Sequence, residues 1–220
     1  MKPTKTPLPA KKQTILGREF NSSTRRIRTA DRKREKYLER VRCMILDSTT
    51  TRKKLEKLHG CLNYVADIEP FGKPFLSHLT NAMTGAKSTE EKVLPPHAKI
   101  GLKVWYRILM QNKGISFDFV LNRLPRSEFN IFVDASTSWG IGGCCGNKYF
   151  YMPWSRLMNL HIEADIIARK ELLACLVSIL CFEDAIRYRL VRVHTDNVTA
   201  YHWLMKSRSS NLQGTKFLAI

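Results

Sequence analysis

The feature that most constrains this chain is a series of short extended segments between Phe129 and Trp154. Phe129, Ile131 and Val133 alternate with Asn130, Phe132 and Asp134, the period-two pattern of a half-buried strand. Trp139–Cys145 and Lys148–Trp154 keep the extended character, and Gly146-Asn147 between them signals a hairpin turn. An apolar pattern at helical spacing follows over about 163–186, then a strand at Leu190–Thr195 and a helix from about Val198 to Lys206. Strand, strand, strand, helix, strand, helix specifies an α/β mixed sheet. In it the first and fourth strands are parallel neighbours joined by a crossover.

The preceding half reads differently. Residues 1–14 are rich in Pro and Lys and read as irregular, and Ile15–Phe20 is a short extended segment. Helical spacing of Tyr37, Leu38, Val41, Met44 and Ile45 predicts a helix over 31–46. Ser48-Thr49-Thr50-Thr51 supplies N-cap residues for a second helix with an apolar stripe of Leu55, Leu58, Leu62 and Val65. Gly60 inside that helix is unfavourable by about 1 kcal/mol relative to Ala, which predicts a close approach of another backbone. Pro70–Pro74 breaks the helix; a short helix over 74–83 and a longer one over 96–112, stopped by Asn112-Lys113-Gly114, complete this half. The expected organisation is a basic, partly irregular arm over 1–30, a helical region over 31–122 and a mixed α/β domain over 127–220, with the boundary near 122–127.

Charge is unevenly placed. The 220 residues carry 37 Lys and Arg against 19 Asp and Glu, a net charge of +18, and residues 1–60 hold 18 of the basic residues and 6 of the acidic ones. Such a concentration fits a polyanionic partner, most often nucleic acid, and equally fits a solvated basic arm. The six cysteines form no Cys-x-x-Cys pair, and Cys175 and Cys181 read as buried thiols of a reducing compartment. The longest apolar run, Leu172–Phe182, is too short to span a bilayer, and Met1–Lys5 leads into no signal-like segment. No membrane partner and a cytoplasmic or nuclear location are expected.

Three acids fall at chemically suggestive places. Asp134 ends the first strand of the mixed sheet, Asp196 follows the fourth, and Glu171 lies on the long helix between them. If the two strands are parallel neighbours, Asp134 and Asp196 sit side by side at their carboxyl ends, the edge where open α/β sheets bind ligands. Three carboxylates so close repel one another unless divalent cations neutralise them. Hard oxygen donors suit Mg²⁺ or Mn²⁺, and two such ions about 4 Å apart can activate water and stabilise the leaving oxygen of a phosphodiester. Each acid also has a structural reading: Asp134 as a turn residue, Asp196 as the cap of the next helix, Glu171 as a solvated helix residue. Glu163 and Asp165, near the start of the same helix, are rivals for the middle acid.

Residues 129–211 resemble a ribonuclease H domain of the kind attached to retrotransposon reverse transcriptases. The resemblance rests on Ile131–Ser136 with Trp139-Gly140, on Lys170–Ala174, and on His194–Asn197 with Trp203-Leu204. Leu55–Tyr64 followed by Pro70–Leu76 resembles the helical thumb of DIRS-like and related retroelement reverse transcriptases. Leu16–Phe20 resembles the segment leaving their palm, and Trp105–Gly114 their connecting helix. The resemblance implies that Asp134, Glu171 and Asp196 bind Mg²⁺ or Mn²⁺ to hydrolyse the RNA strand of an RNA–DNA hybrid. The family adds a fourth acid on a later helix and metal-binding aspartates in the palm. No Asp or Glu follows Asp196, and residues 1–20 contain no Asp. The chain is therefore expected to be one part of a larger polyprotein, without the polymerase active site. Lys53, Lys54, Lys57, Lys206 and Arg208 are the candidate phosphate contacts, and His194 and His202 read as structural. The alternative is a module that binds nucleic acid and performs no chemistry.

Overall fold

The computed structural model describes residues 10–47, 49–85, 90–117, 128–157, 166–187 and 189–206. The chain divides into two compact units, residues 1–123 and residues 124–220.

In the first unit, β1 (Lys12–Ile15), β2 (Arg18–Asn21) and β3 (Arg26–Thr29) form an antiparallel meander that β6 (Ile115–Ser116) extends. The partly irregular arm expected over 1–30 is thus a sheet from Lys12 onward. Arginines on the exposed positions of β3 hide its alternation, yet Ile27 and Thr29 are buried. Glu19 is buried as well, held by Lys12 and Arg28.

The helices follow the sequence closely: α1 (Asp31–Leu46), α2 (Arg52–Ala66), α3 (Leu76–Met83) and α4 (Pro96–Gln111). Two three-residue strands, β4 (Thr49–Thr51) and β5 (Glu91–Val93), pair between them. Thr51 caps α2, its hydroxyl accepting from the Lys54 N–H. Val41, Leu62, Leu79, Leu102 and Trp105 are fully buried where these helices meet. Asn112 ends α4 in the left-handed conformation (φ 43°), and its side-chain amide bonds both the N–H and the C=O of Thr29, joining the helix to β3. Gly60 departs from expectation. It is exposed, and a Cβ there would meet nothing within 4 Å, so no close approach explains it.

The second unit is a four-stranded mixed sheet ordered β10-β7-β8-β9, built from β7 (Glu128–Ala135), β8 (Gly140–Cys145), β9 (Lys148–Pro153) and β10 (Leu190–His194). Cys145 pairs with Lys148 across the two-residue turn Gly146-Asn147. β7 and β10, the first and last strands, pair in parallel with Phe132 opposite His194. The crossover between them contains α5 (Ile167–Cys181) and the short α6 (Glu183–Ile186); α7 (Val198–Lys206) follows β10.

α5 explains its own composition. One side packs on the sheet, where Leu173, Ala174 and Cys175 meet Ile131, Val133, Ala135, Ile141 and Cys145. Another side, with Ala168 and Leu172, packs on Trp203 of α7. A helix covered on two sides carries no polar stripe opposite an apolar one. Cys181, expected to be buried, lies at the exposed end of α5, whereas Cys175 is buried and its thiol is pushed up to about 11 by desolvation.

Candidate metal centre

The parallel register of β7 and β10 builds the site. Asp134 and Asp196 each lie two residues beyond the paired Phe132 and His194, so both emerge at the same sheet edge. α5 crosses above and presents Glu171 between them. One carboxylate oxygen from each of Asp134, Glu171 and Asp196 can be chosen so that all lie within 4.8 Å of one another. The two aspartates are exposed and Glu171 is 2% exposed.

Glu171 is held from both strands. Its Oε1 accepts from the Ala135 N–H and its Oε2 from the Thr195 hydroxyl, each at 3.2 Å. Ala135 and Thr195 are the immediate neighbours of Asp134 and Asp196, so the same two bonds that orient Glu171 fix the spacing of all three acids. Burial pushes the Glu171 carboxyl above its ordinary range. The Ala135 and Thr195 bonds oppose that rise, and the charges of Asp196 and Asp134 add to it.

Structural readings of the acids find other residues in those roles. Asn197 caps α7, its side-chain oxygen accepting from the Ala200 N–H at 2.9 Å. Ser136 accepts from the Ser138 and Trp139 N–H groups and so shapes the turn after β7. Glu171 is buried rather than solvated. Lys170, beside it, is also buried: its ammonium donates to the Thr137 carbonyl and lies 4.9 Å from the centre of the Trp154 ring. It stiffens the loop that follows Asp134. Thr195 and Lys170 were not singled out from the sequence as site residues, because what matters is whom they touch across the fold.

Three carboxylates, one of them desolvated, form a hard-oxygen cluster that could hold a metal ion. Glu163, Asp165 and Arg208 lie outside the described residues. Lys53, Lys54 and Lys57 are exposed on α2, and Lys206 is exposed at the end of α7. His194 is stacked on Phe132 at 4.4 Å and hydrogen-bonded to Asn130, and His202 packs edge-on against Tyr201. No helix among the described residues is long and apolar enough to cross a membrane. The sequence matches no protein-family model and no curated protein.

Proposed function

We propose that the second unit is a ribonuclease H-like nuclease of a retroelement reverse transcriptase, hydrolysing the RNA strand of RNA–DNA hybrids with Mg²⁺ or Mn²⁺. The observation that carries the reading is the convergence of Asp134, Glu171 and Asp196 at the carboxyl ends of two adjacent parallel strands. The donor set fits the ion: all oxygen, anionic, and open on the side of the two exposed aspartates.

Asp134 and Asp196 would bind from the exposed edge and Glu171 from beneath. A divalent cation, or a pair of them, supplies charge neutralisation of the phosphodiester and a more acidic water. Glu171, already oriented by Ala135 and Thr195, needs no rearrangement to offer its carboxylate. Within the second unit exposed Lys206 would contact backbone phosphates, and in the first unit the basic excess of residues 1–60, with Lys53, Lys54 and Lys57 exposed, would separately attract a polyanion without reading its sequence.

The deciding experiment is cleavage of an end-labelled RNA–DNA hybrid with Mg²⁺, comparing the native chain with Asp134→Asn. Cleavage by the first and its loss by about a thousandfold in the second is the expected result. Hybrid binding that weakens steeply with salt, with no Mg²⁺-dependent cleavage, would replace this reading with that of a nucleic-acid-binding module.

A further inference from the structure

The face of the second unit's sheet opposite α5 is lined with exposed rings. Strand alternation sends Ile131, Val133, Ile141 and Cys145 under the helix and the intervening residues outward. Phe132, Cys144 and Tyr149 form one cross-strand row on this outer face, continued on β10 by His194. Asp134, Gly142 and Tyr151 form the next row. Tyr149 is 83% exposed, Tyr151 58% and Phe132 53%. Phe132 and half-buried His194 stack on each other with an interplanar angle of 15°, so each covers one face of the other and leaves one outer face.

This is an unusual surface to leave open to water. Large aromatic rings left in water on β7 and β9 are unfavourable by their apolar area, and they are not scattered singly. They sit in register. Tyr149 and Tyr151 lie about 7 Å apart along β9, and Phe132 lies two strands, about 10 Å, from Tyr149. Between β7 and β9 the outward positions of β8 are the small residues Gly142 and Cys144. Arg192, paired with Asn130, adds a guanidinium to the same face.

We infer that this face is a base-stacking platform for single-stranded nucleic acid, with Tyr149, Tyr151 and the Phe132–His194 pair as the stacking rings. Two arguments select that occupant. Flat, separated rings flanked by a cation suit unpaired bases, each of which has a π-face. The whole chain, at net charge +18, attracts a polyanion and repels a second copy of itself, and residues 124–220 contribute +3 of that from 11 basic and 8 acidic residues. The inference goes beyond the nuclease reading and does not depend on it, since no ring of the platform belongs to the acidic cluster. If both hold, single-stranded product or template would lie on the same face that carries Asp134.

The test uses the full chain, EDTA to remove divalent ions, and an oligothymidylate carrying one 2-aminopurine, at about 0.3 M salt to suppress phosphate contacts. The expected result is quenching of 2-aminopurine on binding, with affinity about tenfold lower for Tyr149→Ala and lower again for Tyr149→Ala/Tyr151→Ala. Tyr149→Phe should retain native affinity. Circular dichroism of the alanine variants should match the native chain, because both side chains are exposed. Unchanged affinity in the double variant, or binding without quenching, would overturn the platform and leave phosphate contacts alone. A native dimer that the double variant makes monomeric, with no oligonucleotide quenching, would overturn it in favour of self-association. Because metal is absent throughout, loss of nuclease activity elsewhere cannot imitate any of these outcomes.

Discussion

Glu171 Oε1 accepts the Ala135 N–H at 3.2 Å, which ties the middle of α5 to the residue directly after Asp134. With the matching bond from Thr195 to Oε2, the helix acid is braced against both strands that carry the other two. A cluster of three carboxylates is thereby held together by groups that are not themselves charged.

Thr195 is the part of that brace a side-chain substitution can remove. Thr195→Val keeps the shape and deletes the hydroxyl that donates to Glu171 and accepts from the Asn197 N–H. Partners that orient metal ligands typically carry 10- to 100-fold in affinity or activity. We expect Mg²⁺ affinity, measured by calorimetry, to fall about tenfold in Thr195→Val and to stay near native in Thr195→Ser. Equal affinities in native and Val chains would show that the brace is irrelevant to the ion.

Glu171 also gives the protein a pH signature. Its carboxyl is raised above the ordinary 4.5 by burial first and by the two aspartates further. In the metal-free folded state it therefore binds its proton more tightly than in the unfolded chain. That stabilisation is present at low pH and is lost as pH rises from the ordinary carboxylate range through the raised value. A cation favours the ionised form, so the gain in Tm from Mg²⁺ should increase between pH 5 and pH 8. Glu171→Gln should raise the metal-free Tm at pH 8 and abolish the Mg²⁺ increment. A Mg²⁺ increment independent of pH would contradict this account.

Much of this was legible in residue order. The α1, α2 and α4 stripes are spaced as helices, and Asp134 and Asp196 end segments whose parallel pairing follows from the crossover. What was not legible depended on partners distant in sequence. The strands over 12–29 alternate weakly because Arg26 and Arg28 occupy the exposed positions and buried Glu19 takes a place usually apolar. Asn197 rather than Asp196 caps α7, a choice decided by backbone geometry one residue along. Cys181 sits at the end of α5, where helical periodicity says apolar but the neighbouring elements have run out.

Gly60 offers a test of a residue whose presence nothing in the structure explains. It lies inside α2 at an ordinary helical conformation, exposed, with open space where a Cβ would go. Gly60→Ala should stabilise the first unit by about 0.5–1 kcal/mol, mostly by narrowing the unfolded ensemble. Denaturant titration should show a higher midpoint at unchanged slope. A destabilised variant would mean that the flexibility, or an approaching partner, matters in the folded state.

Glu19 should behave oppositely to Glu171 with pH. Burial alone would raise its carboxyl, but hydrogen bonds and charge from Lys12 and Arg28 hold it below the ordinary value. Its contribution is present above the ordinary carboxylate range and lost as pH falls through the lowered value. Glu19→Gln should lower the stability of the first unit by about 1–3 kcal/mol at pH 7 and by much less at pH 3. Equal losses at both pH values would indicate that shape, not charge, holds β1, β2 and β3 together.

Gly143 connects sheet packing to the acidic cluster. On β8 it faces Ser178 of α5, two turns beyond Glu171 on the same side of the helix. A Cβ at 143 would lie 2.5 Å from Ser178 Oγ and 2.8 Å from the Phe150 ring, closer than real contacts allow. Ser178 is fully buried and its hydroxyl donates to the Ala174 carbonyl, so it cannot simply swing away. Gly143→Ala must therefore lift the C-terminal half of α5 from the sheet, at about 1–3 kcal/mol. Lifting the helix lengthens the Glu171–Ala135 bond, so Mg²⁺ affinity should fall together with stability. The double substitution Gly143→Ala/Ser178→Ala removes the obstructing hydroxyl without putting a glycine in the helix and should recover part of both, the Phe150 ring contact remaining. Recovery of stability without recovery of metal affinity would show that the two ends of α5 move independently, and that the brace at Glu171 does not depend on how the rest of the helix is seated.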